Sequence, residues 1–224
     1  MNKRILEIAV FNYKSAVLAE VGGADRIELS ENYKVGGVTP SFKLIEKVKR
    51  KIKIPIFVLI RPRSGNFIYS DSEFKIMKEE ILFCKKINIE GVVFGILKNK
   101  NKVDVERNSE LVNIAKPLST TFHKAFDDCP NKFDSLNNVI ECGFDRVLTS
   151  GNTKSGEDGL IILKKLFNYS KSKIILIPGG GVRSSNIEHI INFCDPQEIH
   201  SSAITNKKDI ANIKEIIKMK SFLK

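Results

Sequence analysis

Residues 174–182 read Ile-Ile-Leu-Ile-Pro-Gly-Gly-Gly-Val, an unbroken apolar run that is followed at once by three glycines. Such a run predicts a strand that is buried on both faces, as in a parallel sheet. Pro178 ends the strand because its nitrogen carries no hydrogen for a neighbouring strand. Gly179, Gly180 and Gly181 permit positive φ angles and a close approach to a bound group. This turn therefore either offers backbone amides to an anion or only connects a strand to a helix.

The same change from strand to helix repeats along the whole 224-residue chain. Strands are predicted at 5–11, 26–29, 55–60, 91–94, 118–122, 146–149, 174–178 and 198–200. Helices are predicted after them, at 12–21, 41–51, 73–87, 104–115, 133–142, 159–168, 186–193 and 209–219. This alternation predicts an α/β fold in which a parallel sheet closes as a (β/α)₈ TIM-type barrel. An open doubly wound sheet is the alternative.

An internal similarity supports the barrel. The stretch 23–30, Gly-Ala-Asp-Arg-Ile-Glu-Leu-Ser, resembles the stretch 143–150, Gly-Phe-Asp-Arg-Val-Leu-Thr-Ser. The two stretches contain the second and sixth predicted strands, which are half a barrel apart. Shared chemistry of the turn before each strand would explain the similarity without a duplication.

The composition indicates one domain, which spans residues 1–224. No run approaches the roughly 20 apolar residues of a membrane span, and the N-terminus lacks a signal-peptide pattern, so we expect a cytoplasmic protein without a membrane partner. The net charge of +11 is spread over predicted helical surfaces. No aromatic-interleaved basic motif accompanies this charge, which disfavours nucleic acid as a partner. The four cysteines include no Cys-x-x-Cys pair, which argues against a zinc knuckle.

Polar side chains follow the predicted strands at their carboxyl ends, where barrels place their chemistry. The candidate acid–base residues are Glu7, Glu28 and His123. The candidate anion-binding residues are Arg61, Arg63, Gly179, Gly180, Gly181, Ser201 and Ser202, and the supporting residues are Asp127, Thr149 and Ser150. The glycines and the two serines follow the seventh and eighth strands, where barrels commonly hold phosphate. The sequence therefore predicts a site for a small phosphorylated or carboxylated molecule.

Each candidate also has a purely structural interpretation. Glu7 and Glu28 lie inside apolar strands, where an unpaired charge is costly, so they either form salt bridges with Arg61 or Arg146 or take part in catalysis. A guanidinium group such as that of Arg61 suits phosphate or carboxylate, and a loop-to-loop ion pair is the alternative. A lone histidine is often a core residue, but the position of His123 at a strand end favours acid–base chemistry or ligand binding.

Lys124 is the lysine that stands next to a predicted strand end. Successive residues of a strand point to opposite faces, so we expect Lys124 to point away from His123. This expectation disfavours a Schiff-base aldolase mechanism.

Several ordered motifs resemble the CutC family, known as copper homeostasis proteins. They are Leu-Glu-Ile at 6–8, Gly-Gly-Ala-Asp-Arg-Ile-Glu-Leu at 22–29, Gly-Gly-Val-Thr-Pro-Ser at 36–41, Ile-Arg-Pro-Arg at 60–63, Tyr-Ser-Asp at 69–71, Thr-Phe-His-Lys-Ala-Phe-Asp at 121–127, Arg-Val-Leu-Thr-Ser-Gly at 146–151 and Gly-Gly-Gly-Val at 179–182. The resemblance covers nearly the whole chain. It implies a TIM-type barrel, a cytoplasmic location, a homodimer and a role in copper handling.

The resemblance makes copper a candidate ligand, yet Cu(I) prefers thiolate and thioether groups. Members of the family often carry cysteine where this chain has Ser30. Cys84, Cys142 and Cys194 fall in or beside predicted outer helices, which leaves Cys129 as the candidate metal ligand near the mouth. A cluster of Glu7, Glu28 and His123 is the alternative site, for a harder divalent ion.

Three functions are open to the chain, of which a basic surface that binds nucleic acid is disfavoured by the missing basic motif. Of the other two, the first is a CutC-type role in copper homeostasis, by binding or trafficking the metal. The second is an enzyme that acts on a small phosphorylated or carboxylated metabolite by acid–base chemistry at the carboxyl-terminal mouth of the barrel.

Overall fold

A computed structural model describes residues 4–151, 155–170, 173–206 and 209–223. Its strands are β1 (Ile5–Val10), β2 (Arg26–Leu29), β3 (Ile56–Leu59), β4 (Gly91–Phe94), β5 (Leu97–Lys98), β6 (Lys102–Val103), β7 (Ser119–Phe122), β8 (Arg146–Thr149), β9 (Ile175–Pro178) and β10 (Glu198–Ser201). Its α-helices are α1 (Tyr13–Val21), α2 (Phe42–Lys51), α3 (Asp71–Lys86), α4 (Val105–Ala115), α5 (Lys132–Glu141), α6 (Leu160–Ser170), α7 (Ile187–Cys194) and α8 (Ile213–Ser221).

Eight of the described strands form one parallel sheet, in the order β10-β1-β2-β3-β4-β7-β8-β9. The two end strands, β9 and β10, lie beside each other, so the sheet curls into a nearly closed barrel. The predicted (β/α)₈ TIM-type barrel is thereby confirmed. The bounds of each predicted strand agree with the structure to within one residue at either end.

Some local details differ from the predictions. Helix α3 is capped by Ser70 rather than by Asp71 or Ser72, because the Ser70 hydroxyl accepts from the Glu73 amide and Glu73 accepts in turn from the Ser70 amide. Strands β5 and β6 form a small antiparallel hairpin after β4 that no pattern predicted. A 3₁₀ helix, Lys124–Asp128, directly follows β7.

Most of the apolar core lies between the strands and the helices that cover them. A small separate cluster of Phe57, Leu59 and Val93 fills part of the barrel interior. Other inward positions carry buried polar residues, among them Glu7 and Glu28. The site is therefore built on the rigid inner face of the sheet. Among the described residues, none of the helices is long and apolar enough to cross a membrane.

The two similar sequence stretches play matching structural roles. The Asp25 carboxylate accepts a hydrogen bond of 2.8 Å from the Leu6 amide, and the Asp145 carboxylate accepts one of 2.7 Å from the Thr120 amide. In each case an aspartate just before one strand accepts a hydrogen bond from a backbone amide near the start of the adjacent strand, which comes earlier in the chain. The shared turn chemistry is thus sufficient to account for the similarity.

Candidate functional site

A cavity of about 190 Å³ opens at the carboxyl-terminal end of the barrel, and we call it the mouth cavity. It is lined by Ala9, Phe11, Glu28, Gly36, Leu59, Arg61, Phe67, His123, Lys124, Leu148, Gly180, Gly181, His200, Ser201 and Ser202. A larger cavity, of about 540 Å³, lies at the opposite end, around the first residues of β7, β8 and β9. None of the predicted site residues lines that larger cavity. The chemistry of the chain is therefore concentrated at the mouth.

Below the mouth cavity, a chain of buried ion pairs crosses the barrel interior. The Arg26 Nε donates to Glu7 at 2.5 Å, and another nitrogen of the same guanidinium donates to Glu198. The Arg146 Nε lies 3.1 Å from Glu198, and the Nδ1 of His200 donates to Glu7 at 2.7 Å. The arginine that pairs with Glu7 is thus Arg26, because the two residues stand opposite each other on adjacent strands. The structural interpretation that paired Glu7 with Arg61 or Arg146 was wrong.

The two buried glutamates have opposite electrostatic environments. Burial alone would raise the pKa of Glu7, but Arg26 and His200 outweigh it and lower that pKa to about 2. Burial raises the pKa of Glu28 to about 7, against the opposing effect of the nearby His200. Glu28 is 7% exposed, and its Oε2 has no hydrogen-bond partner in the described part of the chain. Glu28 therefore keeps a free carboxyl oxygen beside the cavity.

His200 is a site residue that the sequence reasoning missed. It is buried, lines the mouth cavity and stands opposite Glu7 in the sheet. Each of Glu7, Glu28 and His200 offers one potential metal-ligand atom, and these atoms lie within 4.8 Å of one another. The alternation of β10 was the available signal, because a residue two positions after Glu198 faces the same side of the sheet.

His123 is held as a neutral imidazole at the end of β7. The Ala125 amide donates to its Nδ1 at 3.3 Å, which leaves the ring hydrogen on Nε2. The Nε2 is buried and has no partner among the described residues. Burial, together with the Arg61 guanidinium, lowers the pKa of His123 to about 3. At neutral pH, His123 is therefore an unsatisfied hydrogen-bond donor on the cavity wall.

Arg61 and Arg63 flank Pro62 but lie in different surroundings. Two nitrogens of the buried Arg61 donate to the carbonyls of Val35, Gly37 and Gly65, while its Nε has no partner in the described ranges. Arg61 lines the mouth cavity. Arg63 does not line it; its Nε donates to Glu73 at 2.5 Å, and its other nitrogens bind nearby loop oxygens. The structure thus brings Arg61 into the site and places Arg63 in a loop-to-helix ion pair.

The glycines after β9 divide into two kinds. The Gly179 amide donates to the Thr149 carbonyl, and a Cβ on Gly179 would lie 2.5 Å from a methyl carbon of Leu148, so this glycine serves packing. Gly180 and Gly181 have positive φ angles of 84° and 70° and line the cavity. Within the described ranges, the amides of Gly180 and Gly181 donate to no other residue. These two amides remain available to a ligand.

The two serines at the end of β10 are hydrogen-bonded by Arg183, a second residue that the sequence reasoning missed. Its guanidinium donates to the hydroxyls of Ser201 and Ser202, at 3.2 Å each, and to the Ile204 carbonyl at 2.8 Å. The Ser201 hydroxyl in turn donates to the Val182 carbonyl at 2.6 Å. Arg183 therefore ties the loop after β9 to the loop after β10. Its position directly after the glycine motif was the available signal.

The three predicted supporting residues lie together. The Asp127 carboxylate accepts from the Thr149 hydroxyl at 2.5 Å and from the Ser150 hydroxyl at 2.7 Å, and it pairs with Lys124 at 3.0 Å. Burial would raise the pKa of Asp127, but Lys124 and the two hydroxyls lower it.

Lys124 lines the mouth cavity together with His123, which corrects the expectation that it points away. The alternation of side chains ends at Phe122, where β7 gives way to the 3₁₀ helix. A Cβ on Gly180 would lie 3.0 Å from the Lys124 Nζ, so this lysine reaches the glycine loop.

The four cysteines are buried and lie outside the candidate metal-ligand group of the described residues. Cys129 is 2% exposed, does not line the mouth cavity, and its thiol contacts the Ala125 carbonyl at 3.6 Å. Burial raises the pKa of Cys129, and it raises the pKa of Cys84 to about 12 and those of Cys142 and Cys194 to about 11. Without a metal ion, these thiols are thus protonated at neutral pH.

The chain is similar to known proteins over most of its length. The chain is 42% identical over 202 residues to the human copper homeostasis protein cutC homolog, covering 90% of this chain and 74% of the relative. It is 42% identical to a CutC family protein of Parabacteroides distasonis, covering 90% and 83%.

Solved structures extend the comparison. A CutC structure from Streptococcus agalactiae matches with a TM-score of 0.85 and 30% identity, covering 89% of this chain and 98% of that one. Phosphoribosylanthranilate isomerase from Pyrococcus furiosus matches with a TM-score of 0.64 at 15% identity, covering 98% of both chains, which shows the shared barrel alone. The model of the CutC family matches residues 4–205. The chain therefore belongs to the CutC family.

Proposed function

We propose that this protein serves copper homeostasis, the role in the name of its human relative, and that its working site is the mouth cavity. The cavity suits a small phosphorylated or carboxylated molecule. Glu28 and His123 stand beside it as groups that can exchange hydrogen bonds or protons with that molecule. The observation that carries the proposal is the pair of buried N–H groups, Arg61 Nε and His123 Nε2, that have no partner in the described ranges.

Buried donors without a partner are costly, because each has lost its hydrogen bonds to water. Arg61 and His123 pack against the same ring, that of Phe67, with the Arg61 Cζ 4.9 Å and the imidazole centre 4.7 Å from the ring centre, so the two side chains belong to one wall of the cavity. On the side of β9, the two free glycine amides are further donors, and Lys124, which also pairs with Asp127, lines the cavity. A bound oxyanion would satisfy several of these donors at once.

An anion panel tests this proposal. Phosphate, phosphomonoesters or small carboxylates are expected to raise the melting temperature, since a ligand that binds only the folded state stabilises it by about 2.7 kcal/mol at 100 times its Kd. Arg61→Gln should abolish the shift, measured against the ligand-free variant. Arg63→Gln is the matched control, because it removes a neighbouring loop arginine that does not line the cavity. An absent shift for the wild type, or equal shifts in both variants, would contradict the proposal.

Direct copper binding has its own test. Cu(I) requires soft ligands, and the buried thiol of Cys129 is the one that the sequence places near the mouth. We expect an anaerobic Cu(I) titration to give the same affinity for the wild type and for Cys129→Ser, because this thiol is protonated and does not line the cavity. A lost Cu(I) equivalent in a folded Cys129→Ser protein would instead make Cys129 a copper ligand.

The cytoplasmic location, the homodimer and the lack of a nucleic-acid partner stay predictions. Of the predicted divalent-ion cluster, Glu7 and Glu28 lie together, and the histidine beside them is His200 rather than His123.

A further inference from the structure

We propose that Glu28 and His200 bind a divalent metal ion of the zinc class at the floor of the mouth cavity, with Glu7 orienting the imidazole and completing the site. This site is distinct from the anion-binding wall formed by Arg61 and His123. It does not depend on the function proposed above.

The first argument is the separation of the ligand atoms. One potential ligand atom from each of Glu7, Glu28 and His200 lies within 4.8 Å of the others. Zinc bonds to nitrogen and oxygen are about 2.1 Å long and point to the corners of a tetrahedron, so two ligand atoms on one ion are about 3.4 Å apart. Side-chain shifts of about an ångström would therefore bring these atoms to the spacing of a zinc site.

The second argument is the free oxygen of Glu28. This side chain is more than nine-tenths buried, and its Oε2 accepts no hydrogen bond from the described residues. Arg26, the nearby guanidinium, is already engaged by Glu7 and Glu198. A buried carboxylate oxygen without a donor is costly, and a cation on the cavity side would satisfy it.

The third argument is the orientation of His200. Its Nδ1 donates to Glu7 at 2.7 Å, and no hydrogen bond joins its Nε2 to any residue of the described ranges. Metal-binding histidines commonly donate one ring nitrogen to a carboxylate, which leaves the other nitrogen for the ion. His200 already has this orientation without a bound ion, and it lines the cavity from which an ion would enter.

The fourth argument is the chemistry of the ligand set. Glu7, Glu28 and His200 supply two carboxyl groups and one imidazole at the floor of the cavity. Imidazole with carboxylates is a ligand set typical of Zn²⁺ and similar divalent ions rather than of soft Cu(I). The cavity leaves further positions on the ion open to a small ligand.

Metal titration of the full chain tests this site. The protein, stripped with a chelator, is titrated with Zn²⁺ by calorimetry and with Co²⁺ by absorption. We expect one strong equivalent of Zn²⁺, and a visible Co²⁺ spectrum without a thiolate charge-transfer band. Glu28→Gln and His200→Gln should each weaken binding by tenfold or more. His189→Gln is the matched control, because that histidine is exposed on α7 and outside the cluster, and it should bind as the wild type does.

The results separate the alternatives. Absence of a strong equivalent in the wild type would overturn the proposal, as would Zn²⁺ binding that survives Glu28→Gln. Loss of the equivalent in His189→Gln would identify a surface site instead. Should His200→Gln fail to fold, Glu28→Gln decides, because its altered oxygen has no partner to lose. The anion panel is read in metal-free protein, so a failure there leaves this result unaffected.

Discussion

Replacing Arg26 with methionine is expected to lower the free energy of unfolding by about 3–5 kcal/mol, since it leaves two carboxylates buried without their shared counter-ion. Arg26 is 4% exposed and is the link between Glu7 and Glu198. Its guanidinium also lies over the Phe57 ring, 4.5 Å from the ring centre. Methionine keeps much of the length and apolar contact of arginine, so the lost stability reports mainly the missing positive charge. Urea denaturation at neutral pH measures this change in the free energy of unfolding.

An exposed ion pair provides the control. Arg4 pairs with Asp195, whose side chain is 79% exposed, so Arg4→Met should cost less than about 1 kcal/mol. Adding Glu7→Gln to Arg26→Met should recover part of the lost stability, because one uncompensated carboxylate is removed. Equal costs for Arg26→Met and Arg4→Met would show that the buried chain of ion pairs contributes nothing to stability.

Acidification should destabilise the protein through His123. Its pKa is about 3 in the folded state against an ordinary value of 6.5, so between these pH values the unfolded chain binds a proton that the folded chain does not. The stability contributed by neutral His123 is complete above pH 6.5, falls as the pH drops, and is lost by about pH 3. At pH 4 the loss is about 3 kcal/mol, from 1.36 kcal/mol per pKa unit.

The measurement is the difference in unfolding free energy between pH 7 and pH 4. His123→Gln should reduce that difference, because glutamine does not titrate. His189→Gln should keep it, since this imidazole is 60% exposed. An NMR titration should also show the His123 ring neutral at pH 5. A difference that is unchanged in His123→Gln would refute the assignment of a buried neutral imidazole.

The strands and the barrel could be predicted because their signals are local. Each strand is a short apolar run bounded by glycine, proline or polar residues, and these residue types also mark the turns. The residues at the strand ends followed from the topology, which brought Glu28, Arg61, His123 and the glycine loop to one cavity. The hairpin of β5 and β6 was not predicted, because strands of two residues are too short to show an alternating pattern.

Side-chain direction outside regular strands could not be predicted. Arg61 and Arg63 were treated alike, but the chain leaves the sheet after Leu59 and turns Arg63 toward Glu73. Lys124 was expected to face away from the cavity, but the 3₁₀ helix that follows Phe122 brings it to the same wall as His123. In both cases the rule of alternation was applied beyond the strand in which it holds.

The sequence by itself determined the fold class, the family and part of the set of polar groups at the barrel mouth, because these depend on periodicity and on motifs of a few residues. Only the tertiary structure decided the partners. Arg26 binds carboxylates 19 and 172 positions away, and His200 joins a glutamate 193 positions away. The physical reason is that a buried charge takes the nearest counter-charge in space, and strand register, which brings distant residues opposite each other, fixes that distance.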